Sequence, residues 1–159
     1  MFSMTSKKLT IEDISKIEVQ LGLRLPLQLV EHYLQFNGGV PNRTYFYSEE
    51  ADIETNVQTF IPFRYVNEIG ITIEDRYVDY RNRKIMPEKL LPFASDAGGN
   101  KFCIDIETGQ IYIVWLDLGE VTKDCIVFLA EDFNEFLNKL DEDEDEDEDE
   151  DKDEASEKC

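Results

Sequence analysis

Ile14, Ile17 and Leu21 recur at the spacing of one helix face and are followed by Gly22. Thr10, with Asp13 after it, resembles a capping box that carries aspartate in place of glutamate, so a helix is predicted to begin there. Pro26 bars helix at Leu25 yet suits the first turn of a second helix, in which Leu29, Val30, Tyr33, Leu34 and Phe36 form a broad apolar face. Asn37-Gly38-Gly39 is predicted to end that helix, the glycines supplying the positive φ of a C-terminal cap and Pro41 preventing resumption.

Further on, the pattern changes to that of strands. Tyr45-Phe46-Tyr47 and Thr59-Phe60-Ile61-Pro62-Phe63 are rich in strand formers and read as a pair, with polar Ser48 to Asn56 between them. Val66, Ile69, Ile73, Tyr77 and Tyr80 fall at helical spacing, although Gly70 and the β-branched run Ile71-Thr72-Ile73 weaken a helix there. Leu90 to Ala94 leads into a dense turn signal, Ser95 to Asn100, and then into Lys101 to Ile106, where Phe102, Ile104 and Ile106 share one face. Glu107 to Gln110 is a tight connection to Ile111 to Leu116, a run apolar on both faces, as in a central strand covered on both sides or at an interface. A strand through Cys125 to Phe128 then precedes a helix over Ala130 to Leu140 with Phe133, Phe136, Leu137 and Leu140 on its apolar stripe. The predicted class is α+β, a mostly antiparallel central sheet flanked by an N-terminal helix pair and a C-terminal helix.

Composition adds a boundary to this picture. With 159 residues, 42% hydrophobic and 11% aromatic, the chain suits one domain with a real core. Its net charge is −20, and the stretch from Asp141 to Cys159 alone carries 14 acids and two lysines, a net of −12 that leaves −8 for residues 1 to 140. A like-charged run without a large apolar side chain cannot offset its ordering entropy, so residues 1–140 are expected to form the domain and 141–159 a disordered acidic tail. As a neutral coil that tail would reach roughly 24 Å, and self-repulsion extends it. It reads as a solubility tag by default, with a lure for a basic partner or a sponge for metal ions as the functional alternatives. The acidic balance argues against holding nucleic acid through its phosphates, though an acidic phosphate mimic stays open. The longest apolar runs, Ile111 to Leu116 and Cys125 to Ala130, have six residues each, too few to span a bilayer, and no secretory signal follows the N-terminal lysines. A cytoplasmic location is expected, and Cys103, Cys125 and Cys159, odd in number and without C-x-x-C spacing, fit a reducing compartment.

Candidate chemistry is sparse. His32 is the only histidine and the cysteines lie far apart, so no zinc site and no cofactor are expected. His32 reads as a surface or hydrogen-bonded helical residue rather than a base, and Cys103 and Cys125 as small hydrophobes within strands. Asp96 and Asp105 flank the Gly-Gly turn, and a turn-forming aspartate and a solvent-facing strand aspartate explain them better than a pair of catalytic acids. Gly98-Gly99 could present amides to an anion, but a strand-entry turn needs the same glycines. Tyr112 and Trp115 point to opposite sides of one strand and either could anchor a partner, with core packing the default for Trp115. By elimination the chain reads as a binding module rather than an enzyme.

Three segments also carry a resemblance. Leu21-Gly22-Leu23-Arg24-Leu25-Pro26 with Tyr33-Leu34-Gln35-Phe36-Asn37-Gly38-Gly39, then Pro92 to Asn100 followed by Phe102-Cys103-Ile104-Asp105, and finally Phe133-Asn134-Glu135-Phe136-Leu137 resemble the opening, the most specific block and the closing helix of SUKH-type domains, named after the Smi/Knr cell-wall regulators of yeast. The match covers roughly residues 10 to 140, leaving the tail outside the pattern. It implies an α+β fold and, as for bacterial members, an immunity protein that binds and neutralises a cognate toxin, for which a nuclease with a basic groove suits the acidic surface. The alternative it implies is an intracellular scaffold or regulatory module, as in eukaryotic relatives. The partner-binding candidates are Asn37, Gly38, Gly39, Asp96, Gly98, Gly99, Asn100, Tyr112 and Trp115.

Overall fold

Helix α1 (Ile11–Leu21) starts at the anticipated capping box: the Asp13 amide donates to Thr10 Oγ1 at 3.1 Å and the Thr10 amide to Asp13 Oδ2 at 3.0 Å. The computed structural model to which this helix belongs describes residues 2–66, 70–116 and 121–142. Helix α2 (Leu27–Gln35) follows Pro26 and buries Leu29 and Tyr33. Its end differs from expectation. Phe36, already extended, closes the helix with its amide on the His32 carbonyl at 2.9 Å, and Gly38 and Gly39 use their positive φ in the segment beyond rather than as a cap.

A short pair, β1 (Phe2–Ser3) with β2 (Val40–Pro41), precedes a hairpin of β3 (Tyr45–Ser48) and β4 (Ile53–Asn56). The expected pairing of the Tyr45 and Thr59 segments is therefore corrected: β3 pairs with β4, inside the stretch read as polar, while β5 (Thr59–Phe60) pairs with β6 (Leu90–Ser95). The turn between β3 and β4 sets Asp52 at φ 57° and is tied by the Ala51 amide to Ser48 Oγ at 3.2 Å.

Five antiparallel strands form the main sheet in the order β5, β6, β7 (Lys101–Asp105), β8 (Ile111–Val114) and β9 (Ile126–Ala130). The β7–β8 hairpin stands where alternation placed it. Phe102, Ile104, Ile111 and Ile113 join α1, α2 and the last helix, α4 (Phe133–Lys139), in one core. At its centre is a cluster of rings: Phe93 lies 5.5 Å from Phe60, 5.3 Å from Phe133 and 5.7 Å from Phe136. Cys103 and Val114, on the opposite strand face, join Tyr80, Met86 and Leu90 in a second cluster, so β7 and β8 are covered on both sides.

Tyr80 belongs to α3 (Ile73–Arg83), the helix that the β-branched run argued against. Thr72 is not inside it but caps it, accepting from the Asp75 amide at 3.2 Å, and Gly70 lies outside it. Ile69 lies outside the described residues. Glu74, buried in the first turn, accepts the Arg64 amide at 3.0 Å, and burial raises its carboxyl above the ordinary glutamate value. The native state thus holds that proton more tightly than the unfolded chain does, and stability falls as pH rises through the raised value. Glu74→Gln keeps an acceptor for Arg64, so its melting temperature should exceed the wild type's at pH 7 by a margin that closes as pH falls below the ordinary glutamate value. A less stable variant with a margin independent of pH would contradict this.

Asp141 exchanges backbone hydrogen bonds with Tyr45 at 2.8 and 2.9 Å, so the described fold runs past Leu140. The remainder of the acidic segment from residue 143, with Cys159, lies outside the described residues.

Candidate partner-binding surface

The expected site residues fall in three places. Asn37 is buried: its Nδ2 donates to the carbonyls of Lys7 at 2.8 Å and Phe63 at 3.0 Å, and its Oδ1 accepts the Phe63 amide at 2.8 Å. Gly38 and Gly39 beside it are equally enclosed, and Gly39 bridges to Phe60 on β5. A Cβ on Gly39 would stand 2.4 Å from the Ser3 carbonyl oxygen, so the chain passes where no side chain fits.

The turn from Ser95 to Asn100 lies at one end of β6 and β7. The Asp96 Oδ1 accepts the amides of Gly98 and Asn100, both at 2.9 Å, while its Oδ2 accepts Asn100 Nδ2 at 3.1 Å. Asn100 Oδ1 takes the Leu116 amide at 2.8 Å and so fixes the end of β8 against the turn. Both polar side chains are consumed internally, which leaves the exposed backbone of Ala97, Gly98 and Gly99 as the part that a partner could touch. Gly99 has φ 88° and Gly98 has no positive φ. Gly99→Val should therefore cost about 1 to 3 kcal/mol of stability, whereas Gly98→Val should cost well under about 1 kcal/mol. Equal losses in chemical denaturation would contradict this reading, and wild-type stability of both variants with lost partner binding would make the turn a recognition loop.

Tyr112 and Trp115, the third group, lie on opposite faces of one segment, as expected. Trp115 is half-buried against the main core. Tyr112 is half-buried on the other face, its ring 5.9 Å from that of Phe128 and its hydroxyl donating to Gln110 Oε1 at 2.9 Å. Leu116, Val121, Ile126 and Phe128 are also half-buried, so this end of the sheet offers an apolar patch next to β9, the edge strand, which pairs with no strand beyond it among the described residues. Ile126 and Phe128 were not among the expected residues. Their signal was the apolar run Ile126-Val127-Phe128, which has no polar face to turn to water.

Two expectations about charge are corrected. Asp105 is not solvent-facing: it is 1% exposed, accepts the amides of Glu107 at 2.8 Å and Thr108 at 3.1 Å, and pairs with Lys89 at 3.5 Å. It ends β7 at the far end from Asp96, so the two acids do not act as a pair. His32 is half-buried and not hydrogen-bonded at Nε2. It packs among the rings of Phe2, Tyr33, Phe36, Phe60 and Phe133, its buried Nε2 has no partner, and burial lowers its pKa to about 4. It is neutral at physiological pH. Cys103 is buried against Met86 and its thiol is pushed up strongly by burial, which leaves it inert. Among the described residues, no group of three or more histidines, cysteines or carboxylates is arranged to hold a metal ion.

The sequence profile of the SMI1/KNR4 family (SUKH-1) matches residues 8–139, which run from just before α1 to the end of α4. Over 54 residues the chain is also 39% identical to the SPbeta prophage-derived uncharacterized protein YokK of Bacillus subtilis (strain 168), a stretch that covers 34% of this chain and 28% of that protein.

Proposed function

The chain belongs to the SMI1/KNR4 family (SUKH-1), and from that membership we propose that it is an immunity protein, acting without catalysis in the cytoplasm and neutralising a cognate bacterial toxin by direct binding. The observation that carries this reading is the family match across residues 8–139, since SUKH domains are generally immunity proteins. A prophage-derived relative fits a bacterial setting. The net charge of −20 suits a partner with a basic surface, and a nuclease, whose groove must hold phosphates, is the toxin class that it suits best.

The surface proposed for the contact is the patch of Tyr112, Ile126 and Phe128, with the exposed turn Ala97 to Gly99 at the same end of the sheet as Leu116. Buried aromatic anchors set the dissociation rate, while long-range charge sets the rate of encounter. Raising salt should thus slow association more than it hastens release, and Tyr112→Ala should chiefly hasten release. Asp141 to Cys159, with its net of −12, contributes to steering, so its removal should lower the salt-dependent association rate and leave most of the affinity.

Coexpression with the toxin domain encoded by the neighbouring gene tests the reading: cells survive and a complex copurifies. Cell death despite soluble, folded protein, with no complex at micromolar concentration, would overturn it in favour of a scaffold role.

A further inference from the structure

A cleft of about 370 Å³ opens where three segments meet: the start of α2, the turn between β7 and β8, and the start of α4. Its apolar lining comes from Ile104, Ile106 and Phe133, and Leu27 stands on its lip with 70% of its surface exposed. Two carboxylates, Glu107 and Asp132, also line it. No lysine or arginine among the described residues pairs with either.

The frame is rigid. Asp105 holds the amides of Glu107 and Thr108 through its carboxylate and that of Gly109 through its carbonyl at 2.7 Å. The Asn134 amide donates to Gln28 Oε1 at 2.9 Å and ties α4 to α2. Asp132 Oδ1 caps α4 by accepting the Glu135 amide at 2.8 Å, and its second oxygen is not used in that cap.

We propose that this cleft, on the helix-covered face of the sheet and at the end away from the turn Ala97 to Gly99, receives a basic side chain, an arginine or lysine, from a bound protein whose contact extends beyond the Tyr112 patch. The reading of that protein as a toxin rests on the function proposed above, whereas the chemistry of the cleft does not. An aliphatic stem matches the apolar lining, and a cationic head matches the two carboxylates, whose two full charges outweigh the partial positive ends of α2 and α4 beside them. The charge of the whole chain points the same way. None of these lining residues is a partner-binding candidate in the sequence, where Ile104, Ile106 and Phe133 read as core positions and Glu107 as part of a tight connection.

Butylguanidinium, an arginine head on a bare stem, is the probe. Titrated into the uniformly ¹⁵N-labelled full-length protein, it should give saturable shifts at the amides of Leu27, Gln28, Glu107, Thr108, Gly109 and Asn134. Methylguanidinium, which lacks the stem, should bind more weakly. The double variant Glu107→Gln with Asp132→Asn, in which asparagine still caps α4, should bind butylguanidinium about fivefold more weakly, as two exposed ion pairs predict. Leu27→Ala, at an exposed position, should weaken the long probe more than the short one. Shifts spread over other carboxylates without saturation at the cleft, or unchanged affinity in the double variant, would overturn the proposal. The assay contains no toxin: a cleft that binds the probe in a protein that fails to protect cells keeps this inference and sinks the immunity reading, and protection by the double variant at wild-type affinity does the reverse.

Discussion

Phe93→Ala is expected to destabilise the protein by about 3 to 5 kcal/mol, the usual cost of emptying a fully buried ring site. The side chain is completely buried, and it links β5 through Phe60 with α4 through Phe133 and Phe136. Phe136 in turn stacks 5.3 Å from Phe46 on β3 and lies 5.6 Å from Phe102 on β7. Losing one ring therefore loosens the hairpin, the sheet and the last helix together. Denaturant unfolding measures the loss, and Phe93→Leu, which refills most of the volume, should recover more than half of it. A loss below about 1 kcal/mol for the alanine variant would show that the ring cluster is not the centre of the core.

Asn37→Ala should cost about 2 to 4 kcal/mol, because it removes hydrogen bonds from three backbone groups at once and leaves two of them without a partner, the Phe63 carbonyl keeping the Tyr65 amide, and each unsatisfied buried group costs about 1 to 3 kcal/mol. Those groups are the Lys7 carbonyl and the amide and carbonyl of Phe63. Asn37→Asp should not rescue, since a carboxylate offers no donor to the two carbonyls. Gly39→Ala should fail for a separate reason, the clash with the Ser3 carbonyl. If Asn37→Ala unfolds like the wild type but no longer binds a partner, the Asn-Gly-Gly segment is a recognition element and its hydrogen bonds do not hold the fold.

That segment shows what local sequence can and cannot convey. Its composition marks it as special, yet the helix-cap reading is local, whereas the Asn37 side chain joins the N-terminal segment to Phe63, a contact between residues 26 apart. The elements legible in the sequence were those determined by neighbours: the Thr10–Asp13 capping box, the proline entry to α2, and the alternation that placed the β7–β8 hairpin. The pairing of Tyr45 with Thr59 fails for two different reasons: the true partner of Tyr45, Ile53 to Asn56, is nearer in the chain but looks polar, and that of Thr59, Leu90 to Ser95, is distant. Asp105 was misplaced by a related error. Alternation puts it opposite Phe102 and Ile104, on a face that reads as solvent-facing, but the cluster around Tyr80 and Cys103 covers it. The family motifs were legible because order and spacing survive in sequence. The patch around Tyr112 was only half legible, since Phe128 becomes its neighbour through the register of β8 with β9.

The central claim is stoichiometric neutralisation, and the measurement that meets it most directly is a titration of a fixed amount of the cognate toxin domain with this protein while the toxin's activity is followed. The account predicts a linear fall to zero at one equivalent, with a single complex of matching composition. Full toxin activity at a large molar excess would contradict binding, and complete loss at a small fraction of an equivalent would contradict the absence of catalysis.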